Sequence, residues 1–277
     1  MFLFVILLAI VQGLTEFLPV SSSGHLALFE NLPWFSVQSA ELQKSVPLLA
    51  FNVILHLGTL LSVIYFFRKD LKILFSDFFS DLSARKFRGN GVLQALLIVL
   101  ATIPAVTVPL YKDLVEQSVQ SLRALAFFFA INAVILFAAD IYKKAYRGRE
   151  EEQVTPLRAL FIGVMQCVAV FPGISRSGAT ISAALLTGVS SYRAVRFSFL
   201  ISIPVMVAAT GLEIKSYLSS AASHALDLST LLAGFFVSFI CGLLALRILV
   251  WFSKTLSFYP FGIYTFSLAA IILFFLS

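Results

Sequence analysis

Six runs of apolar residues, at about 47–67, 92–111, 122–142, 195–214, 228–250 and 257–276, dictate what this chain can become. A helix needs ~20 such residues to cross the hydrocarbon of a bilayer. Each run meets that length, so the expectation is an all-α polytopic membrane protein, a single integral domain over residues 1–277. Composition agrees. The chain is 60% hydrophobic and 12% charged, with a mean hydropathy of +0.97, whereas charged residues make up about a quarter of a soluble domain. Most of the 29 Phe then face lipid or neighbouring helices.

Two further apolar stretches, about 1–30 and 157–190, are broken in the middle by "LPVSSSGH" and "FPGISRSGAT". Pro and Gly interrupt a helix there, and the freed backbone groups need partners inside protein or water. Both stretches therefore read as re-entrant helix–loop–helix hairpins rather than spans. They also match each other. An offset of 154 residues places Gln12 over Gln166, Phe17 over Phe171, Ser21 over Ser175, Ser23 over Ser177 and Gly24 over Gly178. Three runs follow each hairpin, so the chain reads as two copies of one unit, about 1–143 and 157–277. An odd number of spans per copy inverts the second copy relative to the first. An inverted-topology repeat of this kind brings broken helices from both halves together near the midplane.

Charge supports that orientation. Basic residues gather in loops at about 68–90 (Arg68, Lys69, Lys72, Arg85, Lys86, Arg88) and 143–158 (Lys143, Lys144, Arg147, Arg149, Arg158). By the positive-inside rule both loops are cytoplasmic. Arg193, Arg196, Arg247 and Lys254 fall on the same side, and the ends 30–46 and 216–227 fall outside. The basic loops adjoin spans and lack interleaved aromatic platforms, so a nucleic-acid partner is excluded. Cys167 and Cys241 lie in apolar segments, without the ligand spacing of a disulfide framework or zinc site. The opening "MFLFVILLAI" has neither a positive n-region nor an A-x-A cleavage site, so it reads as retained.

The chemistry is concentrated in the two breaks. Gln12 and Glu16, four apart, share a helix face. Beyond the break, Ser21 and Ser22 lie four and three residues before His25, so a resumed helix would set a hydroxyl beside an imidazole, a nucleophile or proton donor beside a base. A helix cap accounts for one serine and the glycine. It does not account for Glu16 and His25, since ionisable groups at membrane depth are functional by default. In the second break Arg176 stands between Ser175 and Ser177 at a helix start, where a guanidinium fork, hydroxyls and backbone N–H groups cradle an oxyanion. A structural Arg–Glu pair joining the hairpins is the plainer alternative. Under the offset Arg176 is the counterpart of Ser22. His56 reads as packing or pocket-lining, His224 as solvated, and Glu213 and Asp140 as snorkelling near span ends.

Through "QGLTEFLPVSSSGH", fitting (E/Q)-x-x-x-E with its following serines and histidine, and "PGISRSGAT", fitting P-G-x-S-R-S-x-x-T, the chain resembles the undecaprenyl pyrophosphate phosphatase family of bacterial inner membranes, also called bacitracin-resistance proteins. The resemblance covers essentially the whole chain. It implies hydrolysis of undecaprenyl diphosphate to the monophosphate and inorganic phosphate, which recycles the cell-wall lipid carrier. Carried over by motif, Glu16 and Gln12 take positions associated with a divalent cation, Mg or Ca, and with acid–base work. Ser22 and His25 take the nucleophile and histidine positions. Arg176, Ser175, Ser177 and Thr180 take the phosphate-binding positions, with Ser21 and Ser23 beside the substrate. The resemblance further implies a multi-pass inner-membrane protein whose site opens to the periplasm. Its partners would be a prenyl diphosphate lipid, membrane lipids and a candidate second copy of the chain. Family members tend to carry an acidic residue where Asn52 stands and an arginine where Thr265 stands.

The competing expectation is a transporter or flippase of a lipid phosphate or small anion, since broken helices meeting at midplane also serve carriers. The Ser-x-x-His pair separates the two, because a carrier needs clamps but no nucleophile and base. Sidedness is directly testable. A cysteine placed at Ala84 should resist a membrane-impermeant thiol reagent in intact cells and react after permeabilisation.

Overall fold

A computed structural model describes residues 2–43, 48–146, 153–219, 227–252 and 257–276. These form thirteen α-helices: α1 (Phe2–Phe17), α2 (Ser22–Glu30), α3 (Pro33–Gln43), α4 (Leu48–Phe66), α5 (Arg68–Ser83), α6 (Asn90–Thr102), α7 (Lys112–Gln120), α8 (Leu122–Ala145), α9 (Pro156–Val168), α10 (Arg176–Leu186), α11 (Ser191–Ser219), α12 (Leu228–Phe252) and α13 (Tyr259–Ile271). A 3₁₀ segment, Ile103–Tyr111, joins α6 to α7, and a π turn, Ile272–Leu276, extends α13. Pro104 and Pro109 lack the N–H that a regular α-helix would use, which fits the 3₁₀ winding between them.

Four of these helical stretches are long and apolar enough to cross a membrane: Asn90–Gln120, Leu122–Ala145, Ser191–Ser219 and Leu228–Phe252. A fifth arises if α4 and α5, bent by 67° at Phe67, count as one span. The expected sixth, 257–276, appears as a shorter apolar helix. The first basic stretch, expected as a loop, is mostly helix α5. It exposes Ile73, Phe75 and Phe79 beside Arg68, Lys69 and Lys72, the mixture of an interfacial helix. Residues 33–43, expected outside as a connection, also coil into a helix. Arg147, Arg149, His224 and Lys254 lie outside the described residues, so their expected placements stay as expectations.

Both broken stretches form hairpins. α1 packs back on α2, and α9 on α10. Each hairpin then leans on helices from the other part of the chain: α1 on α12, and α9 on α6. The α1–α12–α4 seam is lined with small residues. A Cβ on Gly13 would meet Cys241 Cβ at 2.6 Å and the Ser238 carbonyl at 2.7 Å, and one on Gly234 would meet Phe51 at 2.8 Å. Without an aqueous drive between spans, such close backbone approach supplies the packing.

The two breaks meet. Ser21 caps α2, its hydroxyl accepting from Gly24 N at 3.2 Å and from Gly173 N, in the other break, at 3.0 Å. Ser175 caps α10 in the same way, accepting from Gly178 N at 3.2 Å and donating to Leu18 O, in the first break, at 3.2 Å. Asn132, wholly buried on α8, ties both loops. Its Nδ2 donates to Pro19 O at 3.1 Å and its Oδ1 accepts from Ser175 N at 2.9 Å. Every freed loop group named here finds its partner inside protein.

Asp140 does not snorkel. It is 3% exposed and accepts from Ser257 Oγ at 2.6 Å and Phe258 N at 2.9 Å, fixing the start of α13. Replacing Asn132 by leucine keeps the apolar volume but strands a carbonyl and an N–H. Each such group costs ~1–3 kcal/mol. Asn132→Leu should therefore lower the thermal midpoint in detergent clearly below wild type, with Asn132→Asp also destabilising because it offers no donor to Pro19.

Candidate functional site

Glu16 is the hub of the two hairpins. It sits in the last turn of α1, one turn beyond Gln12, and points toward the break. Its Oε1 accepts from Arg176 Nη2 at 2.7 Å, and its Oε2 accepts from Ser22 Oγ at 2.7 Å and from Gln12 Nε2 at 3.1 Å. The Glu16 and Arg176 side chains are 13% and 16% exposed. A pair this sheltered is costly to break from one side, ~3–5 kcal/mol for a buried one, because the survivor keeps its charge. The Arg–Glu pairing foreseen as the plainer alternative is thus present. It leaves further guanidinium N–H groups for an anion.

A cavity of ≈ 210 Å³ opens over this hub, lined by Thr15, Glu16, Ser21, Ser22, Ser23, Ser175 and Arg176 from the hairpins. Ser22 begins α2 and Arg176 begins α10. Two helix N-termini therefore converge on one space, and each carries the partial positive charge of its unpaired N–H groups. Ser21, at the α2 cap, takes a left-handed backbone (φ 70°), a conformation that costs a non-glycine residue of order 1–3 kcal/mol and that concentrates at functional sites. Gly173, at φ 104°, is a glycine of necessity, with Phe129 N only 2.9 Å from where a Cβ would stand.

The sequence-predicted residues divide into those on the cavity and those behind it. Glu16, Ser21, Ser22, Ser23, Ser175 and Arg176 line it. Gln12 is fully buried behind Glu16. Ser177 is 2% exposed and shares a hydrogen bond of 3.0 Å with Ser175. Thr180, 1% exposed, donates to Arg176 O at 2.8 Å and lies 2.6 Å from Ser198 Oγ on α11. Both therefore support the cradle from within α10.

The expected pairing of Ser22 with His25 is not made. Ser22, in the first turn of α2, turns its hydroxyl to Glu16, while the His25 ring folds back on the loop. His25 Nδ1 lies 2.7 Å from Ser21 O, which can only accept, so Nδ1 carries the proton. Its Nε2 lies 2.6 Å from the Tyr264 hydroxyl on α13, and the two rings are parallel at 5.7 Å. With both nitrogens engaged and 7% exposure, His25 braces the Ser21 loop.

His56, expected as a packing or pocket-lining group, lines the cavity, and Glu213, expected to snorkel, turns into it instead because it meets His56 there. His56 on α4 and Glu213 on α11 share a contact of 3.1 Å between Nδ1 and Oε2. No local spacing links positions 157 residues apart; only two unexplained ionisable groups in apolar runs marked them. Asn132 and Tyr264 were equally silent. Another cavity, ≈ 380 Å³, lies elsewhere, between Asn90, Gln94, Gln153, Arg193 and Arg196. There Arg196 Nε lies 2.6 Å from Asp70 Oδ1, although poorly aligned for a hydrogen bond. That cavity contains none of the hairpin residues.

A divalent cation at Glu16 and Gln12 does not fit what is present. Both Glu16 oxygens already accept from protein donors, and the buried Gln12 Oε1, without a partner, is a single neutral ligand. Among the described residues no group of three or more His, Cys, Asp or Glu could hold a metal. Ca²⁺ gathers six to eight oxygens, and Mg²⁺ keeps its waters and takes one or two carboxylates together with substrate phosphates; the one carboxylate here is already held by Arg176, Ser22 and Gln12.

The comparisons with known proteins point one way. Residues 5–271 match the family described as Bacitracin resistance protein BacA. A curated relative from Geobacillus kaustophilus (strain HTA426), named Undecaprenyl-diphosphatase, is 33% identical over 277 residues, covering 97% of this chain and 96% of its own length. A match over nearly the whole chain, with both hairpin motifs inside it, makes this protein a member of the bacitracin resistance protein BacA family.

Proposed function

We propose that this protein is an undecaprenyl-diphosphate phosphatase, releasing inorganic phosphate and returning the lipid monophosphate for reuse in cell-wall synthesis. The observation that carries the reading is the meeting of Ser22, Glu16 and Arg176 at two helix N-termini beside one cavity. A terminal phosphate is the group such a place accepts. It takes the planar fork of Arg176 in a paired geometry and the backbone dipoles of α2 and α10, while Ser22 stands within reach of phosphorus or a phosphoryl oxygen. Ser175 and Ser23 line the same cavity, and Gln12, Ser177 and Thr180 hold its walls. The prenyl tail remains in lipid.

Phosphoryl transfer passes through a transition state with charge spread over the equatorial oxygens, so positioning and electrostatics supply most of the catalysis. Glu16 serves that end by pre-setting the Ser22 hydroxyl and the Arg176 guanidinium in one arrangement. It also leaves the resting hub without net positive charge, which disfavours a bare polyanion. The divalent cation that the family resemblance implies would then arrive bound to the diphosphate, as part of the substrate. We infer further an inverted repeat, a bacterial inner-membrane location and a site open to the periplasm. The clustering of basic residues in the 68–90 and 143–158 stretches of the sequence and the cross-bonded breaks support that reading. Carriage of a lipid phosphate is the weaker reading, since a carrier has no use for a serine hydroxyl held by a carboxylate.

Lysine carries the charge of arginine without its fork. Arg176→Lys should fold, keep a partner for Glu16, and lose at least ~10²-fold in phosphate release from a prenyl diphosphate, in the range seen for single oxyanion donors. Near-normal turnover by the purified variant would remove the clamp from Arg176.

A further inference from the structure

Hydrolysis of an anhydride by water needs an acceptor for the proton of the attacking water, and the hairpin residues do not provide a good one. Glu16 already accepts from Arg176, Ser22 and Gln12, which engages both of its oxygens in holding the hub. His25 has both ring nitrogens engaged and lies behind the cavity wall. His56 differs on each count. It lines the cavity, its side chain is 33% exposed, and Glu213 Oε2 lies 3.1 Å from Nδ1. A carboxylate only accepts, so Nδ1 holds the proton and Nε2 presents its lone pair, with no partner among the described residues. Carboxylate, imidazole and open Nε2 form the orienter–base arrangement that activates a nucleophile in many hydrolases.

The geometry points to His56 as the proton acceptor for water attacking the terminal phosphorus, with Glu213 as the residue that positions its ring. This rests on the phosphatase reading. The water oxygen bonds to the terminal phosphorus while the bond from that phosphorus to the bridging oxygen breaks. The electron pair leaves on the prenyl phosphate, a stable anion that requires no proton. The proton lost by water passes to His56 Nε2, where Glu213 offsets the imidazolium charge, and then to solvent through the cavity. The charged groups that bear on His56 are Glu213 on α11, Glu16 on α1 and Arg176 on α10. The α12 face against α4 contributes Gly234, Phe235 and Ser238, all uncharged.

The test uses full-length purified protein in detergent and measures phosphate release from undecaprenyl diphosphate across pH. His56→Ala and His56→Gln should each lose ~10²-fold or more in kcat, the usual weight of a general base, with KM within about threefold of wild type. The low-pH fall in kcat should vanish in His56→Gln. Added imidazole should restore part of the His56→Ala rate, more so at pH values where imidazole is neutral. Glu213→Gln should give a smaller loss, again in kcat. Full kcat in His56→Gln, a loss confined to KM, or an unchanged pH profile would overturn the assignment while the phosphatase reading stands. No phosphate release by wild type would instead overturn that reading, and this assignment with it.

Discussion

A helix broken inside a membrane has to satisfy its freed backbone groups without water, and much else in this structure follows from how two breaks solve that problem for each other. Ser21 takes an N–H from its own helix and one from the opposite loop; Ser175 takes one from its own helix and gives its proton to the opposite loop. Asn132 closes the set from a third helix. Neither loop is satisfied alone. The candidate site residues occupy the place where the helices are interrupted because that is where helix N-termini can face one another.

Glu16 then sets the electrical character of the space. A lone arginine at this depth would draw any anion, and a lone carboxylate would reject all of them. Paired, with Ser22 and Gln12 also bound to the carboxylate, they make a site whose geometry is fixed before a ligand enters. A phosphate would compete with Glu16 only in part, because the guanidinium has five donors and gives one of them to Glu16. Preorganised donors of this kind act on the transition state without paying for reorganisation at the moment of reaction.

Much of this was legible in the sequence, for identifiable reasons. Apolar runs fix helices, and Pro–Gly interruptions within them fix the breaks, so the hairpins and Arg176 at a helix start were readable from local pattern. The Glu16–Arg176 contact was readable as an alternative, since two opposite charges in apolar surroundings seek each other. What failed was rotation. Ser22 and His25 are three apart, yet the first turn of α2 sends one side chain to Glu16 and the other to Ser21 and Tyr264. Periodicity says which residues share a face inside a helix; it says little at a cap. His56 with Glu213, and Asn132 with its two loops, depend on helices brought together from far apart in the chain. No spacing rule reaches that distance. The 68–83 stretch departs from expectation for a different reason: its charge points to a loop, where an amphipathic helix buries one edge through Leu74.

The seam between α1 and α12 has a mechanical meaning. The hairpin that opens the chain is gripped through Gly13 by a helix near its end, and α9 of the second hairpin rests on α6 from the first part. The two stretches of sequence are therefore interleaved like clasped hands, each hairpin packed on a helix from the other. A device that alternates its opening by tilting one half against the other would have to unclasp its own hairpin loops at each cycle. This architecture favours a fixed anvil, to which the lipid diphosphate comes and from which inorganic phosphate and the shortened lipid both depart.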